Sequence, residues 1–468
     1  MYFIWYGRSK MKIDIENFGP IEKFSYDLGK DLIVTYGNNN IGKSYSMQIV
    51  YLLLKTLLTS IPSAKMIGNF VYAQRGLVFH FSIKEYEKIV QDFLDSGATV
   101  ENITKKVIDG VYNTLNESFL NEFMNSCEST FGNLDKTLER NPMLHISFND
   151  FNFDINMRER KIVGDIQCNP IFLKKTDSDF HKQRRCKGHL DIYVVQDTVQ
   201  PAGLIADQVL KFINVWNVML RKNYDNVFFL PASRSGIYSG MNAFGSIVAE
   251  LSKNRAYFTK KIEFPGISEP ISDYFISLSN IKPKSNENLE VYYKNIEDDI
   301  LRGKVTFDKN RNALLYKPNN VDAFYEMTEV SSMVSEVSPI VAFFKYVLAE
   351  QGRRMKRGKS VLFIEEPEAH LHPVNQIKLI EIFAQIINAD VKLIISSHSN
   401  YVFNKLNNLV LGKKLNYEVY QPIILEEYEK GSVSKPLSID ELGAEDENFI
   451  DVSEELYNER EENLKDIL

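Results

Sequence analysis

Cysteine is scarce in this chain of 468 residues: only Cys127, Cys168 and Cys186 occur, with no repeated close spacing. That scarcity excludes a disulfide framework and points to a reducing, cytoplasmic setting. Long apolar runs are missing too. None reaches the roughly 18 residues that a membrane helix requires, and the aromatic stretch that begins at Met1 is too short for the apolar core of a secretory signal. No membrane association is expected. Met11, where regular strand patterning begins, competes with Met1 as the start. Positive charge is not in excess, since the net charge is -7. A globally basic nucleic-acid coat is therefore excluded, and any DNA contact must be confined to a local basic patch. No repeat, low-complexity tract or long heptad seam appears.

What is present is an ordinary globular composition, 44% hydrophobic and 25% charged. At this length two lobes, or one domain carrying a large insertion, are expected. Alternation at Ile13, Ile15 and Phe18, then at Phe24, Tyr26 and Leu28, followed by the apolar run Leu32 to Tyr36, predicts three strands feeding a glycine turn. A helix without breakers, apolar nearly all round, is predicted from Tyr45 to Ser60. Residues 85 to 140 show helical periodicity, and 145 to 167 alternate like a hairpin. A helix over Ala202 to Leu220 precedes a strand Val227 to Leu230, and further helices are predicted to about Ile281. Val305 to Phe307 and Ala313 to Tyr316 form a second predicted hairpin. Strand and helix then alternate: Val361 to Ile364, a helix from Pro373 to Ile387, Val391 to Ile395, and a helix after Ser399. Such alternation implies a parallel α/β sheet. The last thirty or so residues are strongly acidic, as a solvated terminal helix or tail would be.

Gly37, Asn38, Asn39, Asn40, Ile41, Gly42, Lys43 and Ser44 fit the phosphate-loop pattern G-x-x-x-x-G-K-[ST]. The glycines let backbone N–H groups face the phosphates of ATP, and the following helix N-terminus adds its dipole. Lys43 reaches the β- and γ-phosphates, and Ser44 coordinates Mg2+. Asn40 occupies a position where many such loops carry another glycine. Farther on, the apolar strand Val361 to Ile364 ends in Glu365 and Glu366, at the edge where ligands bind in open α/β sheets. Glu365 is placed to hold the magnesium shell and Glu366 to polarise the attacking water. His398 follows the next strand, where its imidazole reaches toward the γ-phosphate. Ser331, Ser332, Ser335 and Ser338 precede an apolar helix expected over Ile340 to Leu348. Either they cap it, with Ser338 and Pro339 as cap and first turn, or Ser331 and Ser332 bind the γ-phosphate of ATP held by a second subunit.

The order of glycine loop, Ser-Ser-Met-Val-Ser-Glu helix start, Phe-Ile-Glu-Glu-Pro-Glu-Ala-His-Leu-His-Pro and Ser-Ser-His resembles the ABC-type ATPases of the SMC/RecF branch, and more narrowly the OLD-like ATPases. Leu230 to Gly236 also resembles a family segment. The resemblance covers residues 11 to 60 and roughly 226 to 430. It implies an α/β fold, a two-lobed ABC-type P-loop ATPase head with a mixed α/β insertion. Its segments are 11–65 with the Walker A loop, 66–225 inserted, 226–430 with signature, Walker B and switch histidine, and 431–468 as the acidic tail. It implies a homodimer or higher oligomer closing on two ATP molecules, with catalysis by Glu366 and His398 in one subunit and Ser331 and Ser332 acting in trans. The chain departs from the family in lacking the paired glycines of the ABC signature, and Glu365 stands where an aspartate is usual. Only about forty residues follow the ATPase core, too few for a TOPRIM nuclease domain of roughly a hundred residues. A nuclease or other effector would come from a separate protein, as in bacterial anti-phage defence.

Two other classes compete with this switch. One is a RecF-like DNA-binding repair ATPase. The other is a small-molecule kinase, against which the Glu-Glu pair and downstream histidine argue. Gln74 is a candidate glutamine for a Q-loop. The basic runs 181–187 and 353–359 suit solvated loops or a nucleic-acid or partner face. Cys168, His181, Cys186 and His189 are of zinc-binding types but lack the paired C-x-x-C units such a site calls for.

Overall fold

The computed structural model describes residues 11–60, 64–67, 70–73, 83–177, 183–195, 201–240, 266–282, 284–348, 358–444 and 452–465. The chain forms two compact units. One comprises 1–29, 49–227 and 356–359, and the other 30–48, 228–355 and 360–468. Gln74, His181 and residues 353–357 lie outside the described residues. No helix among the described residues is long and apolar enough to cross a membrane.

In the first unit, strand Met11–Glu16 lies between Ile21–Asp27 and Met143–Phe148, antiparallel to both. The alternation over 145 to 167 is three strands rather than a hairpin: Met143–Phe148, Phe151–Asn156 and Lys161–Ile166 form an antiparallel meander. The reason is local. Asn149 adopts φ 56, which a two-residue hairpin turn demands and asparagine tolerates, so Phe148 and Phe151 pair across it. Trp216 of helix Ala202–Asn223 packs on the rings of Phe151 and Phe153. A second, four-stranded sheet is ordered Gln183–Cys186, His189–Val195, Ile171–Thr176, Val100–Asn102.

The second unit holds strand Tyr224–Leu230 from Phe228 on and strand Lys359–Glu365 from Ser360 on, and its strands run in the order Tyr224–Leu230, Lys359–Glu365, Val391–Ser397, Leu32–Tyr36, Tyr420–Tyr428, Gly431–Pro436. The middle four are mutually parallel, and the last hairpin is antiparallel. The fold is thus the α/β class expected, built on a large mixed sheet. Val361 to Glu365 and every residue of Val391–Ser397 and Leu32–Tyr36 are buried, as strands covered on both faces must be. Helices Pro373–Ile386 and Asn400–Leu411 pack beside them and share one apolar core with helix Ser332–Ala342. His372 accepts from Val374 N–H to start the first of these helices, and Ser399 from Val402 N–H to start the second.

The helix expected over Ile340 to Leu348 begins a full two turns earlier. It spans Ser332–Ala342 and continues as a π-helical turn, Phe343–Val347. Pro339 is an interior residue rather than a first-turn one. It removes the N–H that would bond to Ser335, and burial of every residue from Val334 to Ala342 offsets that loss. The hairpin of Gly303–Asp308 and Ala313–Pro318 forms as expected and is extended by Tyr325–Glu326. Helix Val452–Lys465 closes the described chain.

Candidate functional site

Parallel register sets the site. Glu365 is level with Ser396, Ser396 with Thr35, and Ser397 with Tyr36. The residues that follow these three strands, Glu366, His398 and the loop from Gly37, therefore emerge together at the C-terminal edge of the sheet, where open α/β sheets bind ligands.

Gly37 takes φ 143, and a Cβ there would stand 2.6 Å from the carbonyl oxygen of Leu425, so only glycine lets the loop leave the strand this way. Asn40 and Gly42 also have positive φ, 64 and 102. Asparagine is the side chain that tolerates that region best, which explains its place in the loop. Helix Lys43–Ser60 starts directly after, its first N–H groups turned to the loop. The Lys43 ammonium donates to the carbonyl oxygens of Gly37 at 2.9 Å and Asn38 at 2.6 Å, so the lysine is held inside the curl of its own loop. Burial lowers its pKa to about 8, against the pull of Glu366 and Glu368.

Lys43, His398 and Glu366 form a line. Lys43 Nζ lies 3.3 Å from His398 Nδ1, and His398 Nε2 lies 3.1 Å from Glu366 Oε1. An ammonium has donors only, so Nδ1 accepts and Nε2–H donates to the carboxylate. That hydrogen bond holds the Glu366 carboxyl below its ordinary range despite burial. Glu366 has φ 42, a left-handed geometry unusual for a glutamate, and its N–H donates to the Ser396 carbonyl at 3.0 Å.

Glu365 is buried at 5% exposure. Its Oε2 accepts from Ala232 N–H at 3.1 Å, and Oε1 makes no geometrically good hydrogen bond. Burial raises its pKa, and the Ser44 hydroxyl and Ala232 N–H work in the opposite direction. A buried carboxylate oxygen without a partner is costly, and with the Ser44 hydroxyl beside it the donor set is of the hard oxygen type that suits Mg2+. The residues present fit that ion.

Three further residues belong to this site and were not singled out from sequence. Arg234 is fully buried. Its guanidinium donates to the carbonyl oxygens of Glu365 at 2.7 Å, Glu366 at 3.3 Å, Pro231 at 3.2 Å and Glu336 at 3.0 Å, and Nε stands 3.5 Å from Glu336 Oε2. Glu336 also accepts from the Ser235 hydroxyl at 2.6 Å and its N–H at 3.2 Å. Glu368, likewise buried, accepts at Oε1 from the Ser397 hydroxyl at 2.7 Å and the His398 N–H at 2.8 Å. The segment Leu230 to Gly236 is thus the brace between the serine helix and the carboxylate strand. A buried arginine next to a carboxylate pair was the available signal, but sequence does not say which arginine is buried.

Ser331 occupies the N-cap position without making a side-chain capping bond, and Ser331 and Ser332 are both exposed. They are not hydrogen-bonded to the Lys43–His398–Glu366 line.

Residues 236–403 match the AAA ATPase domain family. That segment includes Ser331, Ser332, Glu365, Glu366 and His398, whereas the phosphate loop lies upstream of it. No curated protein matches the chain. Solved structures that match number 133 chains. They include an SMC head bound to the C-terminal winged-helix domain of ScpA, at 9% identity over 92% of this chain and 98% of that one, TM-score 0.37. They also include the SMC head domain of Thermotoga maritima, at 8% identity over 92% and 99%, TM-score 0.36. A third is an Smc head with an extended coiled coil bound to the C-terminal domain of ScpA, from Pyrococcus furiosus, at 10% identity over 96% and 100%, TM-score 0.35. The match to the AAA ATPase domain, with a phosphate loop on the same sheet edge as paired carboxylates, supports an ATP-binding and ATP-hydrolysing ATPase.

Proposed function

We propose that the chain is an ABC-type, OLD-like ATP switch: it binds ATP and Mg2+ at the loop Gly37 to Ser44, closes with a second copy, and reopens on hydrolysis. The observation that carries this reading is the line from Lys43 through His398 to Glu366. An ammonium and a carboxylate on either side of one imidazole support a phosphate-binding and a proton-accepting role for them.

Lys43 leaves the loop carbonyls for the phosphate oxygens when ATP enters. Ser44 and Glu365 hold the magnesium. Bound there, the ion would supply positive charge to the triphosphate. Glu366 accepts a proton from water as the water oxygen forms its bond to the γ-phosphorus and the bridging oxygen leaves with ADP. His398 fixes the Glu366 carboxylate and reads the γ-phosphate from the next strand. Ser331 and Ser332, exposed at a helix N-terminus, bind the γ-phosphate of the partner copy. The nearest setting is bacterial anti-phage defence, with a separate effector, a nuclease or toxin, held or released by the cycle; this part rests on the motif resemblance stated above.

The test is the mass of Glu366→Gln by light scattering with and without ATP and Mg2+, alone and with duplex DNA. ATP-dependent dimerisation is expected. A monomer that binds ATP tightly would overturn the switch, and assembly only with DNA would favour a RecF-like repair ATPase.

A further inference from the structure

The hairpin formed by strands Gln183–Cys186 and His189–Val195 brings together three ligand-type side chains that ATP chemistry does not use. Cys186 pairs directly with His189 across the turn, and Asp191 lies two residues on, so it points to the same face. One donor atom from each of Cys186, His189 and Asp191 lies within 4.8 Å of the others. His189 Nε2 is 3.5 Å from Asp191 Oδ1, and Cys186 Sγ is 3.6 Å from Asp191 Oδ2. Donors around a tetrahedral ion with bonds of about 2.0–2.3 Å stand roughly 3.3–3.8 Å apart; the His189 to Asp191 Oδ1 separation falls in that range, and the Cys186 distance is to the other carboxylate oxygen.

Asp191 supplies the second observation. It is 2% exposed, and its Oδ1 has no hydrogen-bond partner, although Oδ2 accepts from the Lys174 ammonium at 2.9 Å. Lys174 stands on strand Ile171–Thr176, parallel and adjacent to His189–Val195, where it orients the carboxylate from behind as an outer partner of a metal ligand does. The edge of Phe172 meets the His189 ring at 5.7 Å and limits its rotation.

We propose that Cys186, His189 and Asp191 form a three-ligand site for a zinc-class divalent cation, with Asp191 binding through Oδ1 and solvent completing the shell. A sulfur, a nitrogen and an oxygen together select a borderline-soft ion over magnesium or calcium. On binding, the Cys186 Sγ–H bond breaks as the sulfur–metal bond forms, and one proton leaves to solvent. Cys168, of zinc-binding type like Cys186 and His189 in the sequence, is not among the three.

The experiment is cobalt titration of the chelator-treated full-length protein, followed by zinc displacement. One equivalent of Co2+ should produce a thiolate-to-cobalt charge-transfer absorption that zinc abolishes. Cys186→Ser should lose that absorption, His189→Gln should weaken apparent affinity at least about tenfold, and Cys168→Ser should keep both. Zinc should also slow alkylation of Cys186 in the unmodified chain, read by mass spectrometry, which covers the case of a variant that does not fold. Absence of the absorption together with unprotected Cys186, or its survival in Cys186→Ser, would overturn the site and leave only a Lys174–Asp191 ion pair. None of these readouts depends on ATP turnover.

Discussion

Nη1 of Arg234 donates to the carbonyl oxygen of Glu365 at 2.7 Å, so a fully buried cation holds the backbone from which the Glu365 carboxylate projects. The same guanidinium faces Glu336 of the serine helix. Removing the cation strands a buried carboxylate and several carbonyl groups together. Breaking a buried pair from one side costs about 3–5 kcal/mol. Arg234→Met should lower the urea midpoint accordingly, and adding Glu336→Gln should recover part of the loss. Equal midpoints for Arg234→Met and the unmodified protein would show that the brace contributes nothing.

Under the proposed mechanism Glu366→Gln removes the proton acceptor and keeps the shape. Turnover should fall by about a hundredfold or more, while ATP affinity stays within a few-fold. His398→Ala should fall less than Glu366→Gln, since it removes the carboxylate's partner and leaves the carboxylate. Single-turnover hydrolysis with labelled ATP separates these from slow product release.

The lysine predicts a pH dependence. Its pKa of about 8 in the folded chain lies below the ordinary value because of burial, so the ammonium proposed to meet the phosphates is lost as pH rises through that value. ATP affinity should weaken above pH about 8, with uptake of a proton on binding there. Calorimetry in two buffers of different ionisation enthalpy measures that proton. Folding stability should move the other way. The unfolded lysine keeps its proton to higher pH, so the penalty of burying the charge is full below about 8 and relieved above it.

Glu365 behaves oppositely to Glu366. Burial raises its pKa, and His398 lowers that of Glu366. As pH falls, Glu365 should take up a proton before a surface glutamate would, and the Mg2+ needed for half-maximal turnover should rise. Glu365→Gln should raise that requirement about tenfold or more at neutral pH. Titration of turnover against Mg2+ at several pH values distinguishes the two carboxylates.

The site's backbone was readable because it depends on short-range signals: a glycine loop between strand and helix, acids at the end of an apolar run, a histidine at the end of another. Parallel register then converts three separate strand ends into one edge, and this was inferable from strand and helix alternation. The brace was not readable. Arg234, Glu336 and Glu368 acquire their roles through burial; each lies in a family-like segment of the sequence, but nothing there gives it a role. Pro339 suits a first-turn position in sequence, whereas tertiary burial of Val334 to Ala342 keeps it in a helix interior. The three-strand meander over 143–166 was merged into two because a single asparagine at φ 56 supplies the extra turn. The cluster of Cys186, His189 and Asp191 was half visible, since the aspartate becomes a partner only through the hairpin pairing.

The serines test the dimer apart from nucleotide binding. Ser331 and Ser332 are exposed, sit at the start of an eleven-residue helix, and are not hydrogen-bonded to their own subunit's Lys43, His398 or Glu366. If they serve a partner's ATP, a bulky cation at Ser331 should block closure without touching the loop that binds ATP. In the Glu366→Gln background, Ser331→Arg should bind ATP with affinity within a few-fold of its parent yet remain a monomer by light scattering. Turnover in the Ser331→Arg chain alone should fall toward that of an isolated subunit. Reduced ATP affinity with an intact dimer would mean instead that these hydroxyls act within one subunit, and the trans assignment would fail while the assignments of Lys43 and Glu366 stood.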